Sequence, residues 1–424
     1  NGADHICFDY ARQGCYFSLT LKFRQGVMNY QSIKKKLLRF KSIFTAHWPA
    51  FMASHPRYDT DYYQAEIAKM LNCGSETNGF AVYQCLGCGK GEHKVNFSCK
   101  GKACLQCGKR YARDSMVKIA ARLYPGVSYR QVVLTLPEQL RTPFYNHPNQ
   151  HGLYSRFMML AHVCLTEVIQ GQFKDTDYKL ALIVFLHTHG RNGSYNPHLH
   201  VILAEGAFQP LKKEWKAFKH LPLAPLRRYW QKHLMALVMA EFGELNGVVN
   251  ELWTDYPNGF YAYPGNHKKV PTKHYQGLIK YLTKYLSSPP IGVSRIVDYD
   301  GESVKYYYQS HRTKVVEYET IDVQTFIGRM VQHVLPKGFQ RVRYYGLQAT
   351  ATFRKWYDVI VGVTGDLVDA MVSYVKRIDY AVFFEEVAKR NPLKCCFCGE
   401  GMELVRLFHP DRGLFFDLLA PPDG

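Results

Sequence analysis

The sequence predicts an α+β protein, and three observations carry that prediction. Strand-like runs rich in β-branched residues alternate with helical stretches; two of these runs, separated by a short polar loop, read as a hairpin; and a cysteine-rich segment interrupts the order near the N-terminal side. The expected organisation is a helical N-terminal arm at residues 1–72, a cysteine-rich domain at 73–112 and a central α+β domain at 113–305. A β and helical extension follows at 306–390, then a Cys-containing tail at 391–424.

In the arm, "IKKKLLRFKSIF" sets the apolar Ile33, Leu37, Leu38 and Phe40 beside a basic face, as an arm or docking helix would. "QVVLTLP", from Gln131 to Pro137, is β-branched and stopped by proline, so it reads as a buried strand. The helix "LYSRFMMLAHVCLTEVIQ" follows. "KLALIVFLHTHG" and "PHLHVILAEG", joined by "RNGSYN", form the expected hairpin. "PLRRYWQKHLMALVMAEFG" and "TKHYQGLIKYLTKYLSS" read as helices, the second capped by Thr272 and stopped by Pro289 and Pro290. Beyond them "SRIVDYDGESVKYYYQSHRTKVVEYETI" reads as a β-meander turning at Asp300 and Gly301.

With 424 residues, 47% of them hydrophobic, the chain can bury cores for about two to four domains. Lys and Arg number 54 against 35 Asp and Glu, a net charge of +19 that favours a polyanionic partner, nucleic acid first. Aromatic residues make up 14%, with 31 Tyr, and rings left exposed would stack on unpaired bases. A solvated basic surface is the alternative. No apolar run reaches about 18 residues, and the first residues lack the order of a signal peptide. The expectation is a cytoplasmic, nucleoid-associated protein with no membrane partner.

Six of the twelve cysteines, Cys73, Cys85, Cys88, Cys99, Cys104 and Cys107, lie close together. Cys85/Cys88 and Cys104/Cys107 are Cys-x-x-Cys knuckles, each followed by glycine, a spacing that means zinc in a reducing compartment. One four-thiolate site built from the two knuckles is expected. Cys73, His93 and Cys99 leave room for a second ion, and spacing alone does not give the pairing. The basic residues Lys100, Lys102, Lys109 and Arg110 suit DNA contact. In the tail, Cys395 and Cys398 supply at most half a site, with Cys396, His409 or the distant knuckles as partners; two free thiols are the alternative.

In "NPHLHVIL" a strand would project His198 and His200 to one face while Leu199, Val201 and Leu203 pack behind. A turn centred on Gly193 and Ser194 would set His187 opposite His200 and His189 opposite His198. Four imidazoles on one patch of sheet call for water or a metal ion. On the helix "YLTKYL", Tyr281 and Tyr285 are four apart on one face, with Lys280 and Lys284 as a parallel basic stripe. A phenol attacks a phosphodiester at neutral pH only with cations nearby, which Lys284 and a metal would supply. The plain alternative is an amphipathic helix with tyrosines at its rim.

The order of zinc knuckles with "FSCK", then "VVLTLP", "HTHG" with "NPHLHVIL", "YLTKYLSSPPI", "HRT" and "HVLPKGFQRVRYYGL" resembles the two-tyrosine HUH transposases of rolling-circle insertion sequences, relatives of ISCR and Helitron elements. It covers about residues 70–350. The resemblance implies an HUH nuclease domain with an RRM-like central antiparallel sheet at 113–305. It implies that His198 and His200 bind a catalytic Mg²⁺ or Mn²⁺, with His187 as the third ligand ahead of His189 and Gln276. Tyr281 and Tyr285 would be the nucleophiles, assisted by Lys284, with Lys280 on DNA. One or two structural Zn²⁺ ions would complete the cofactors. The implied function is metal-dependent nicking and strand transfer through 5′-phosphotyrosine at the ends of a mobile element, with host replication enzymes as partners. The alternatives are a plasmid replication initiator or relaxase of the same chemistry, and a catalytically inactive zinc-dependent DNA-binding protein.

Overall fold

The computed structural model describes residues 20–23, 26–265, 290–310, 313–364, 391 and 393–420. Among them, the chain opens with the short hairpin β1 (Thr20–Phe23) and β2 (Gly26–Asn29), then α1 (Tyr30–Ser54) and α2 (Asp61–Leu71). Next come β3 (Phe80–Gln84), β4 (Glu92–Asn96), α3 (Leu105–Ala120), β5 (Tyr129–Thr135), α4 (Arg141–Asn146) and α5 (Gln150–Phe173). The long strands β6 (Lys179–His189) and β7 (Tyr195–Gln209) are followed by β8 (Glu214–Ala217), α6 (Leu223–Glu241), α7 (Asn246–Asp255) and β9 (Ala262–Tyr263). The remainder holds β10 (Ile296–Tyr299), β11 (Ser303–Gln309), β12 (Val316–Asp322), α8 (Val323–Val331), β13 (Val342–Gly346), α9 (Thr350–Thr364), β14 (Glu403–His409) and β15 (Gly413–Asp417). All pairings between these strands are antiparallel.

Two compact units divide the chain, one of residues 1–108, 291–328 and 377–424, the other of 109–290 and 329–376. In the second unit the sheet runs β13-β6-β7-β5-β9, with β8 added to the far end of β7. Both faces of its centre are covered, which is why "LALIVFLHT" is apolar without alternation. On one face Leu182, Val184, Leu186, Leu199, Val201 and Leu203 pack under α5 and α6, through Phe157, Leu165, Trp230 and Leu234. Asn149 starts α5 by accepting the Gly152 N–H at 2.9 Å, and Lys174 ends it in the left-handed region at φ 55°.

The opposite face is apolar only at one end. There Ile183, Phe185 and Ile202 meet Tyr124, Ile360 and the rings of Phe353, Trp356 and Tyr357 from α9. The other end of that face carries the histidines.

In the first unit α1 buries Phe40, Ile43, Phe44 and Phe51, at helical spacing, against Phe326. Leu38, expected on the apolar stripe, is 55% exposed, because the stripe continues through Ile43 and Phe44 instead. The basic face of α1 is held within its own unit: Lys36 donates to the Ser294 carbonyl at 2.9 Å, Lys41 to that of Cys73 at 2.7 Å, and Arg39 pairs with Asp298 at 3.4 Å. The meander forms as β10-β11-β12, with Gly301 at φ 108° in its turn and the Asp300 carboxylate accepting the Glu302 and Ser303 N–H groups. The 391–424 segment supplies β14 and β15, which extend the β3–β4 hairpin into the four-stranded sheet β15-β14-β3-β4.

Candidate functional site

At the polar end of the central sheet, His187 from β6 and His198 and His200 from β7 converge. Each offers a ring nitrogen, and these atoms lie within 4.8 Å of one another. The ring centroids of His187 stand 5.4 Å from His198 and 4.5 Å from His200, and those of His198 and His200 are 4.9 Å apart.

The register that produces this trio differs from the expected one. His187 pairs with His198 and Phe185 with His200, while His189 pairs with Tyr195. The reason is local. The loop is closed by the Gly190 N–H donating to the Ser194 carbonyl at 2.9 Å, with Gly193 at φ 83°, and β7 carries an irregularity opposite Thr188. That irregularity contains Pro197, which has no N–H to give to a ladder, so β7 takes up an extra residue there. The slip moves His189 beyond the trio, where its ring stacks at 5.8 Å on His187 and meets His333 at 5.2 Å.

The hydrogen bonds decide which nitrogen of each ring carries a lone pair. His198 Nδ1 lies 2.8 Å from the Asn196 carbonyl, which only accepts, so Nδ1 donates and the lone pair is on Nε2. His200 Nδ1 lies 2.8 Å from the side-chain amide of Gln131 on β5. There the amide nitrogen Nε2 donates to Nδ1, which puts the proton of the neutral ring on Nε2; metal binding through Nε2 would require the amide to turn its oxygen to the ring. Burial first, then the neighbouring His187 and His198, push the His200 imidazole well below its usual pKa and keep it neutral. Three imidazoles, two of them with ordered second partners, fit a divalent transition ion better than they fit Mg²⁺, which favours oxygen.

A second layer holds the hairpin in place. His333, buried beyond the end of α8, donates from Nε2 to the Gly193 carbonyl at 2.9 Å and sits 3.0 Å from Thr188 Oγ1 through Nδ1. Gln332 donates to the same carbonyl at 3.1 Å. The Arg341 carbonyl accepts the Leu186 N–H at 3.0 Å, and its guanidinium is one of the charges acting on His189 and His333. Nothing in the spacing of the sequence singles out Gln131, His333 or Arg341. The available signal was the density of polar residues in "HVLPKGFQRVRYYG", a stretch otherwise bound into the sheet.

Tyr281, Tyr285, Lys280, Lys284 and Gln276 lie outside the described residues. The last described strand before them, β9, pairs with β5 through Tyr263 and Val133, and Val133 in turn pairs with His200. Just after it, Gly265 at φ 66° packs so closely on β5 that a Cβ would stand 2.0 Å from the Gln131 carbonyl oxygen. β9 lies two strands from β7, the strand that carries His200.

The cysteines do not pair as expected. Instead of one site made from both knuckles, Cys104 and Cys107 join Cys73 and Cys99, and Cys85 and Cys88 join Cys395 and Cys398, each group with its sulfurs within 4.8 Å. The knuckles lie at opposite ends of the β3–β4 region: one is the hairpin turn, the other opens α3. In the first group Cys107 Sγ lies 3.6 Å from Cys73 and 3.4 Å from Cys99, and the Gly101 N–H donates to Cys99 Sγ. His93 belongs to neither group. It is buried on β4 opposite Tyr83. Lys100 and Lys102 are exposed beside the first group, while the side chains of Lys109 and Arg110 are not described.

Comparison with known proteins agrees with both parts of this arrangement. The family described as "Transposase zinc-binding domain" matches residues 43–136, and that described as "Putative transposase", Y2_Tnp, matches residues 182–355. The transposase for insertion sequence element IS801 of Pseudomonas savastanoi pv. phaseolicola is 25% identical over 378 residues, 85% of this chain and 88% of that one. "Putative transposase y4qJ" of Sinorhizobium fredii is 26% identical over 381 residues, 86% of this chain and 93% of that one. No solved structure matches. A zinc-binding domain joined to a mixed helical and antiparallel sheet domain with transposase homology defines a DNA-processing enzyme. The chain is a transposase, similar in both matched regions to the rolling-circle transposases of the IS91 family. No helix among its described residues is long and apolar enough to cross a membrane.

Proposed function

We propose that the second unit is an HUH single-strand DNA endonuclease and strand transferase that acts at the ends of its mobile element. The observation that supports it most is the convergence of His187, His198 and His200 at the open end of an antiparallel sheet. A Mg²⁺ or Mn²⁺ ion held by these three residues would polarise the scissile phosphate. The chain's own groups do the rest. Gln131 and the Asn196 carbonyl fix the imidazoles of His200 and His198. The phenol oxygen of Tyr281 or Tyr285 attacks phosphorus, the P–O3′ bond breaks, and the leaving 3′ oxygen takes up a proton to become a hydroxyl. The 5′ phosphate stays on tyrosine, and Lys284 offsets the charge of the attacking phenolate.

The phosphodiester energy is retained in that link, so attack by a 3′-hydroxyl on phosphotyrosine completes the transfer. The second tyrosine gives a second strand its own acceptor. Lys280, Lys100, Lys102, Lys109 and Arg110 would contact DNA phosphates, and host replication enzymes would copy the displaced strand. Such a protein works at the nucleoid in the cytoplasm.

The test is incubation with labelled single-stranded DNA from the element's ends and Mn²⁺, resolved on a denaturing gel. The expected result is a metal-dependent covalent adduct, lost in the Tyr281→Phe/Tyr285→Phe double variant. Tight binding of those ends by the native protein without an adduct would favour a DNA-binding role and sink the nuclease reading.

A further inference from the structure

The Cys85/Cys88 knuckle is the first half of a site whose second half lies more than three hundred residues away. Cys85 Sγ stands 3.4 Å from Cys398 Sγ, at a separation of 313 residues, and Cys88 Sγ stands 3.5 Å from Cys395 Sγ, at a separation of 307. All four sulfurs lie within 4.8 Å of one another. A zinc–thiolate bond of about 2.3 Å puts the sulfurs of a tetrahedral site about 3.8 Å apart, so four sulfurs at this spacing suit one ion.

The two halves are built alike. In each, a glycine follows the second cysteine in the left-handed region, Gly89 at φ 68° and Gly399 at φ 82°. Gly89 donates to the Cys85 carbonyl at 2.9 Å and Gly399 to that of Cys395 at 3.0 Å. The Cys85 N–H reaches the Gly91 carbonyl at 2.8 Å, and the Cys395 N–H reaches that of Glu400 at 2.7 Å. Beyond each glycine the next N–H, of Lys90 or Glu400, donates to the sulfur of the second cysteine. Gly91 completes the fit: a Cβ there would stand 2.6 Å from Cys395 Sγ. Two knuckles with the same hydrogen-bond pattern, face to face around four sulfurs, have the construction of a closed structural metal site.

We propose that Cys85, Cys88, Cys395 and Cys398 hold a second structural zinc ion, and that this ion fastens the β14–β15 hairpin to the zinc-binding domain. The matched zinc-binding region ends at residue 136 and so contains only half of these ligands. β14 pairs with β3 along five residues, and the ion would sit at the end of that ladder where both knuckles begin or end a strand. Closing a loop of this length is where a cross-link constrains the unfolded chain most. The two sites also differ in access. The difference is one ligand: each group has a half-buried cysteine, Cys88 or Cys99, but Cys398 is exposed where the first group's remaining three are buried, so the second ion would leave first.

The experiment uses the full chain and counts metal by mass spectrometry. The native protein should carry about two zinc ions, and the Cys395→Ser/Cys398→Ser variant about one. Addition of a mercurial to the native protein, followed with a zinc indicator, should release zinc in two phases and be complete only after about eight thiols have reacted. That titration needs no variant, so a misfolded mutant leaves the question answerable. About one zinc ion per native chain, or release complete after about four thiols, would overturn the proposal. So would a soluble double variant that keeps the native zinc content. None of these outcomes depends on DNA cleavage, so the nuclease reading stands or falls separately.

Discussion

The side-chain amide of Gln131 lies 2.8 Å from Nδ1 of His200, across the β5–β7 pairing. It is buried, it comes from a strand read only as core, and it orients an imidazole of the trio. Second partners of this kind set the tautomer and basicity of the ring they touch.

Replacing Gln131 by leucine therefore should weaken Mn²⁺ binding about 10- to 100-fold while leaving the fold intact. Calorimetric titration of the native and Gln131→Leu proteins with Mn²⁺, beside their circular dichroism, measures both. Unchanged affinity in the variant would remove Gln131 from the site.

The trio and its neighbour separate by mutation. His187→Ala should abolish Mn²⁺ binding and adduct formation, since His187 shares the 4.8 Å group; His189→Ala should retain measurable binding, since its ring faces His333 instead. Paramagnetic resonance of bound Mn²⁺ in the two variants reads the difference directly. Equal loss in both would place His189 among the ligands.

His333 makes the stability depend on pH. Burial lowers its pKa from 6.5 to about 3, against the support of its hydrogen bond to Gly193. The unfolded chain thus binds a proton that the folded chain refuses, so this contribution is complete above the ordinary histidine value and is lost as pH falls below it. Between about pH 7 and about pH 5 the loss is about 2 kcal/mol. Urea unfolding at both values should show that slope reduced in the His333→Gln variant, which cannot take up the proton. An identical slope would mean that other groups carry the pH dependence.

Gly265→Ala should damage the sheet edge more than an ordinary surface change. The added Cβ would meet the Gln131 carbonyl oxygen at 2.0 Å, and the backbone there has a positive φ. A cost of about 1–3 kcal/mol follows from strain and local displacement. Because Tyr281 and Tyr285 follow Gly265 in the sequence, adduct yield should fall further than stability. Native melting and native adduct yield in the variant would show that β9 does not position those tyrosines.

Much of the chemistry was legible in one dimension. The His-x-His spacing of His198 and His200 dictates a shared face in any strand, and the Cys-x-x-Cys-Gly repeats dictate thiolate knuckles, because both depend only on backbone periodicity and a tight turn. The strand and helix order was equally local, since unbroken β-branched runs and helical stripes report what each segment must bury. Pairing was another matter. The register of β6 on β7 turned on an extra residue near Pro197, which moved His189 away from the trio and His187 onto His198. The partners of Cys85 and Cys88 turned on the β14–β3 ladder, which brings Cys395 and Cys398 across more than three hundred residues. Spacing carries no information about contacts of that range, whose cost is chain entropy and whose return is packing elsewhere in the sheet. The sequence by itself determined which side chains are of a kind to bind metal or attack phosphate; the tertiary structure alone decided which of the described histidines and cysteines stand together.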